Sequence, residues 1–144
     1  MFDWFRKNIE NINDPVFGEM GFAKSYWEGC CIFPPIEKEI EIFADGNEEG
    51  VFDTQHAIYR KIVESYASLK DQISPLLIEE GESWEKESID NAEETFNLTA
   101  ISISGSELNS MECVFMFESN LTGTPTFDVQ VKNWHTTGTV EISR

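Results

Sequence analysis

Cysteine and histidine are the residues in this 144-residue sequence best suited to nucleophilic or metal chemistry, and there are three of the first and two of the second. A cysteine nucleophile needs a base within hydrogen-bond reach and an acid to orient that base. The available parts are Cys30, Cys31, Cys113, His56 and His135, and no local catalytic signature surrounds any of them. Cys113 lies in an apolar run and reads as a small core residue. Cys30 and Cys31 are neighbours, so on a strand they point to opposite faces and are poorly placed to bridge each other. Zinc lacks a ligand set, because no C-x-x-C pair exists and the two histidines stand far apart in the chain. The thiols read as reduced, as they are in a cytoplasmic protein.

The run Asp45-Gly46-Asn47-Glu48-Glu49-Gly50 carries oxygen ligands at the first, third and fifth positions of a calcium loop, with glycine at the sixth. The twelfth position is His56 where a bidentate glutamate is needed, and the preceding segment is strand-like, so a strand-to-helix turn is the better reading. There is no glycine-rich phosphate loop of either nucleotide-binding type. The sequence therefore predicts no catalytic residue, no metal and no cofactor.

What the sequence does carry is acid. Asp and Glu number 27 against 10 Lys and Arg, a formal net charge of −17. Such a field repels nucleic acid, whose binding rests on neutralised phosphates, and anionic membrane; it attracts basic protein surfaces. No segment approaches the ~18–20 apolar residues of a membrane span, and the N-terminus lacks a secretory apolar region. The predicted partner is a basic protein, met in the cytoplasm. Glu79, Glu80, Glu82, Glu85, Glu87 and Asp90 crowd the most acidic window, residues 79–94, around Trp84, whose ring would suit an anchor for a cationic partner. Glu37, Glu39 and Glu41 form a second acidic row. Trp27, beside Tyr26 in a strand, is expected in the core.

The elements that must position these residues follow from periodicity. The apolar fraction of 40% and 11 Phe argue for a packed core in one domain over residues 1–144. Phe2, Phe5, Ile9 and Ile12 stand at helical spacing, predicting a short amphipathic segment over residues 1–12. Asp14-Pro15 ends it. Apolar stretches at Val16–Lys24 and Tyr26–Phe33, then the alternation of Ile36, Ile40 and Ile42 with Glu37, Glu39 and Glu41, predict three strands, and Asp45-Gly46-Asn47 predicts a turn. Ile58, Ile62, Val63, Tyr66, Leu69 and Ile73 form one helical stripe, capped by Asp53 or Thr54. Pro75 is expected to end that helix and Gly81 to stop a short second one. Residues 79–94 read as a solvated loop or frayed helix.

In the last third the apolar phase slips between Leu98 and Ile101, predicting a bulge. Met111–Glu118 reads as a central strand, and Phe127, Val129 and Val131 alternate cleanly. Val140 and Ile142 continue either as one long strand or after a turn near Gly138. The predicted fold is α+β: a mainly antiparallel sheet of about six or seven strands, in the order βββ-α-ββββ, with one long helix over about residues 53–73 on one face.

The run Asp14-Pro15-Val16-Phe17-Gly18-Glu19-Met20, followed by Tyr26-Trp27-Glu28-Gly29 and by Thr54-Gln55-His56 at the helix start, resembles small acidic bacterial proteins. Several families of that kind are immunity proteins encoded beside polymorphic toxins. The resemblance spans residues 14–70. It implies a non-catalytic inhibitor that holds a basic toxin domain, and it carries over no site residue. The alternatives are an accessory or regulatory domain with a small-molecule or peptide ligand, its aromatics lining a pocket, and an enzyme using the thiols and histidines.

Overall fold

The computed structural model describes residues 11–144. Nine strands form one sheet: β1 (Asn11–Asp14), β2 (Gly18–Ala23), β3 (Tyr26–Phe33), β4 (Lys38–Asn47), the two-residue β5 (Gly50–Val51), β6 (Phe96–Ser104), β7 (Glu112–Ser119), β8 (Thr126–Lys132) and β9 (His135–Ser143). Between β5 and β6 run helix α1 (Asp53–Glu85) and the short helix α2 (Ala92–Thr95). The strand order is β1-β2-β3-β4-β6-β7-β8-β9, with β5 closing a hairpin on β4. Every pairing is antiparallel except β4 with β6 at the centre. Two meanders are thus joined by a crossover that carries α1, because a parallel pair cannot be closed by a hairpin.

The α+β class and the long helix on a mostly antiparallel sheet stand as predicted; among the described residues the strand count is corrected to nine and the order from βββ-α-ββββ to βββββ-αα-ββββ. One extra strand is β1. Ile12 pairs with Met20 in it, where the spacing of apolar residues predicted a helix, and Phe2, Phe5 and Ile9 lie outside the described residues. The other is β5, created because the chain turns after Asn47 and not at Asp45-Gly46. Gly46 is inside β4, and a Cβ there would meet the Gly50 carbonyl oxygen at 2.3 Å and the Trp27 ring at 2.6 Å. Its glycine serves close packing of Trp27, which is fully buried as expected and donates from Nε1 to the Asn47 carbonyl at 2.9 Å.

Helix α1 runs well past the predicted end at Ile73. Pro75 lies inside it with an exposed ring, and the buried stripe Ile58, Ile62, Leu69 and Ile73 continues as Leu77 and Gly81. Burial of that continuing face outweighs the ~3 kcal/mol a helical proline costs. Gly81 does not stop the helix; Ile89 and Phe96 pack directly over it. The cap is Lys86, in a left-handed conformation with its N–H on the Glu82 carbonyl. At the other end Phe52 occupies the cap position without a side-chain bond, and Asp53 is already helical.

Inward-facing residues of the sheet meet α1 in a single core. Phe33 stacks edge-on against Tyr66 at 5.0 Å, and Ile42, Ile101, Phe115 and Val129 are fully buried across the central strands. The phase slip in β6 is a bulge between Leu98 and Ala100, as the sequence predicts. The last segment is two strands, with the turn at Asn133-Trp134 and not at Gly138. Both turn residues have positive φ, which matches the twist of a two-residue hairpin. Among the described residues no helix is long and apolar enough to cross a membrane.

Candidate functional site

The residues that the sequence offered for chemistry are held apart by structural duties. Asp14, buried to 5% exposure, accepts from the amides of Val16 and Phe17 at 2.9 Å each, and its carboxylate meets His56 Nε2 at 2.8 Å. The other ring nitrogen of His56 lies 3.8 Å from Asp53. Phe17 packs on His56 and, edge-on at 4.9 Å, on Tyr59. Gln55, fully buried, takes the Asp45 amide on its oxygen and donates to the Gly105 carbonyl at 2.8 Å, tying the helix start to both central strands. The segments Asp14–Gly18 and Thr54–His56 are therefore one joint, fastening the β1–β2 turn and the sheet to the first turn of α1.

The thiols have other neighbours. Cys31 Sγ lies 3.7 Å from the Tyr59 hydroxyl, and burial raises the pKa of both groups. Cys113 is buried in the core, which pushes its thiol up to about 12. Cys30 is exposed; partial desolvation and then Glu39 and Glu41 raise its pKa, the opposite of what activates a nucleophile. Among the described residues no three His, Cys, Asp or Glu side chains gather as a metal set.

The acidic window divides. Glu79, Glu87 and Asp90 are exposed, and Glu80 is half-buried. Glu82 accepts from the Ile89 amide at 2.9 Å, and Glu85 accepts from the Thr122 amide and hydroxyl at 3.1 Å each. Trp84 donates from Nε1 to the Thr122 carbonyl at 2.9 Å, and the Arg144 guanidinium stands 5.0 Å over its ring. Glu85 and Trp84 clamp the end of α1 to the β7–β8 loop, and Glu82 holds the segment that follows the helix. The window is helix to Glu85 and an ordered return after it, not the solvated loop or frayed helix that its composition predicts.

The second acidic row leads to a larger surface. Helix α1 covers the face of the sheet that bears Cys31, Phe33, Ile40 and Ile42; the opposite face has no covering element among the described residues. Glu37 is not part of that face, because it sits with φ +52° in the turn before β4, donating its N–H to the Phe33 carbonyl. Glu39 and Glu41 are, opposite Ile32 and Cys30 of β3. The same register brings Glu28 opposite Phe43 and Tyr26 opposite Asp45. Across the central pair Phe43 lies beside Ser102, and Ser102 beside Val114. Further on, Met116 faces Asp128, and Asp128 faces Glu141.

This face mixes apolar and acidic side chains. Ile32 is 60% exposed and Tyr26 38%, while Phe43, Val114 and Met116 are half-buried along the middle. Tyr26 and Phe43 meet edge-on at 6.1 Å. Carboxylates of Glu28, Glu39, Glu41, Asp45, Glu112, Glu118, Asp128 and Glu141 surround them, and Lys132, 3.8 Å from Glu112, is the base paired among them. Partial burial raises the pKa of Asp128, helped by Glu141 opposite; burial also raises that of Asp45, against a stabilising bond from the Gly105 amide. A half-solvated antiparallel face ordinarily alternates to polar residues alone. This face departs from that pattern at Tyr26, Ile32, Phe43, Val114 and Met116.

No protein-family model matches the sequence, and there is no match among curated proteins or among solved structures.

Proposed function

We propose that the protein is a non-catalytic, cytoplasmic binding protein that holds a basic protein partner, in the manner of an immunity protein inhibiting a toxin domain. The observation that carries this reading is the uncovered sheet face, where Tyr26, Ile32, Phe43, Val114 and Met116 offer apolar contact inside a ring of carboxylates. Hydrophobic anchors within a charged rim are the usual anatomy of a protein interface. The net charge of −17 would steer a cationic partner and raise its association rate from about 10⁵–10⁶ toward 10⁸–10⁹ M⁻¹s⁻¹ at low salt. Strands fix the backbone under these side chains, so binding here costs side-chain ordering but little backbone ordering. In the toxin reading the carboxylates would take the place of substrate phosphates in a nuclease site. The resemblance of Asp14–Met20, Tyr26–Gly29 and Thr54–His56 to immunity proteins supports a shared framework, since its first and last segments build the joint; Tyr26 and Glu28 of the middle one belong to the face.

The test is capture from the native cell at low salt, with the parent protein and with the combined variant Glu39→Lys, Glu41→Lys, Asp128→Lys. A basic protein retained by the parent, released by salt and lost from the variant is the expected result; a toxin reading frame beside this gene would name its class. A basic protein retained equally by both proteins moves the interface off this face. Its loss from a second variant, Glu79→Lys, Glu87→Lys, Asp90→Lys, would place it on the acidic window.

A further inference from the structure

A cavity of about 320 Å³ opens on the other side of the sheet, between α1, the β3–β4 turn and the start of β6. Its lining is mixed: Ile73 and Leu77 from the helix and Leu98 and Phe117 from the sheet supply an apolar part, and Tyr66, Ser74 and Asn97 line it beside them. Its rim reverses the charge of the rest of the molecule. Lys38 and Lys70 both line it, against the single carboxylate of Glu93. Lys38 Nζ donates to the Asn97 side-chain oxygen at 3.2 Å, and Lys70 pairs with Glu93. One of the two ammonium groups is therefore held only by a neutral amide. In a chain with 27 acids and 10 bases, two lysines lining one cavity stand out against the bulk composition.

Ligand sites combine an apolar body of about 300–1,000 Å³ with a few polar groups that fix orientation. Here the volume sits at the small end, about half of the lining is aliphatic or aromatic, and the lining's two lysines against one carboxylate leave a surplus of one positive charge. We propose that this cavity binds a small amphiphilic monoanion, a medium-chain carboxylate, with its head between Lys38 and Lys70 and its chain along Ile73, Leu77 and Phe117. The Asn97 side chain, freed from Lys38, can turn its amide toward the same head group. The site is independent of the sheet face, which lies on the opposite side of the core.

Octanoate is a suitable probe, titrated into the full chain by calorimetry and followed by amide chemical shifts. Saturable one-to-one binding is expected, with shifts centred on residues 36–38, 70–77 and 96–98. Octylammonium, the same chain with the opposite head, should bind at least tenfold more weakly. The double variant Lys38→Met, Lys70→Met should lose at least tenfold in affinity, and it keeps the long aliphatic stems. Leu77→Trp should fill the cavity and abolish binding; if that variant does not fold, the lysine variant still decides. No saturation at millimolar octanoate, equal binding of octylammonium, or unchanged affinity in the lysine variant would each overturn the proposal.

Discussion

Replacing Asp14 with alanine should cost more stability than almost any other single change outside the apolar core. The carboxylate accepts the Val16 and Phe17 amides at 2.9 Å and His56 Nε2 at 2.8 Å, in a site 5% exposed. A buried donor left without a partner costs about 1–3 kcal/mol. Three such donors do not simply add, since the Val16 amide is only part-buried and water can reach it. Hydrogen bonds to a charged group are worth about 1.5–3 kcal/mol each, so with incomplete additivity the loss is set at ~2–4 kcal/mol, a large part of a typical ~5–15 kcal/mol total. With a urea m-value of about 2 kcal/mol/M, that lowers the unfolding midpoint by roughly 1–2 M at unchanged m. Asp14→Asn keeps an acceptor for both turn amides and should lose less than half as much. His56→Ala should fall between parent and Asp14→Ala, because it leaves the turn capped. Urea melts followed by tryptophan fluorescence measure all three. An Asp14→Ala midpoint within about 0.5 M of the parent would refute the view that this joint holds the sheet to the helix.

Further outcomes follow from individual contacts. Asp128→Asn should stabilise the protein at neutral pH by about 0.2–1 kcal/mol, the scale of a cross-strand like-charge pair, because Asp128 faces Glu141. Its folded-state pKa is raised, so ionisation disfavours folding: the gain should be absent at pH below the ordinary carboxylate range and appear as pH rises through it, seen in melts at pH 3 to 7 and low salt. Gly81→Leu should destabilise by about 1–3 kcal/mol in the same melts, since a Cβ there already meets Ile89 and Phe96 at 2.7 Å. Pro75→Ala should raise stability by about 2–2.6 kcal/mol, the helical penalty of about 3 kcal/mol less the roughly 0.4–1 kcal/mol by which proline restricts the unfolded chain. In a thiol-labelling series read by mass, exposed Cys30 should react first and slowly at pH 7, accelerating above pH 9, while Cys113 reacts only in denaturant.

Strong periodicity was legible and local exceptions were not. The stripe from Ile58 to Ile73, the alternation of Phe127, Val129 and Val131, and the slip at Leu98 all report a fixed geometry, and each stands where it was predicted. The errors fall where a residue acts against its usual preference. Pro75 stays in a helix because only its solvent side is affected, while Leu77 and Gly81 on the inner side continue to pack. Asn133 and Trp134 form the last hairpin turn although tryptophan rarely adopts positive φ. The helix holds it there: Gln72 bonds the Trp134 carbonyl and the Thr136 amide, Trp134 Nε1 reaches the Leu108 carbonyl, and Lys61 stands 4.6 Å over the ring. Gly138, the expected turn, has φ +86° in a bulge between the Val129 and Val131 pairings. Spacing alone could not supply such long-range partners.

The candidate surfaces show the same division. Composition located acid density in residues 79–94, but density in sequence does not report which carboxylates are already bonded. Glu82 satisfies the Ile89 amide after the helix and Glu85 the Thr122 amide of the β7–β8 loop, so their charge is partly committed before any partner arrives. The sheet face gathers its acids from β3, β4, β7, β8 and β9, which no window along the chain could reveal. Glu39 and Glu41 gave a signal through their alternation with Ile40 and Ile42, and Asp128 through its place between Phe127 and Val129.

Placing Asp128 opposite Glu141, and Asp45 in a partly desolvated position, makes folding harder at neutral pH. Alanine or serine at these positions would leave the buried face of the sheet unchanged and relieve that repulsion. The half-buried Phe43, Val114 and Met116 beside them tell the same way, since nothing among the described residues covers their outer side. A cationic surface seated on this face would offset both terms together, pairing the carboxylates while removing the apolar strip from water. Either feature alone has an ordinary explanation in solubility or in packing. Their interleaving on one rigid, uncovered sheet is what favours a partner that is both basic and apolar at its point of contact, and it is why charge reversal at Glu39, Glu41 and Asp128 is a sharper test than reversal in the denser acidic window.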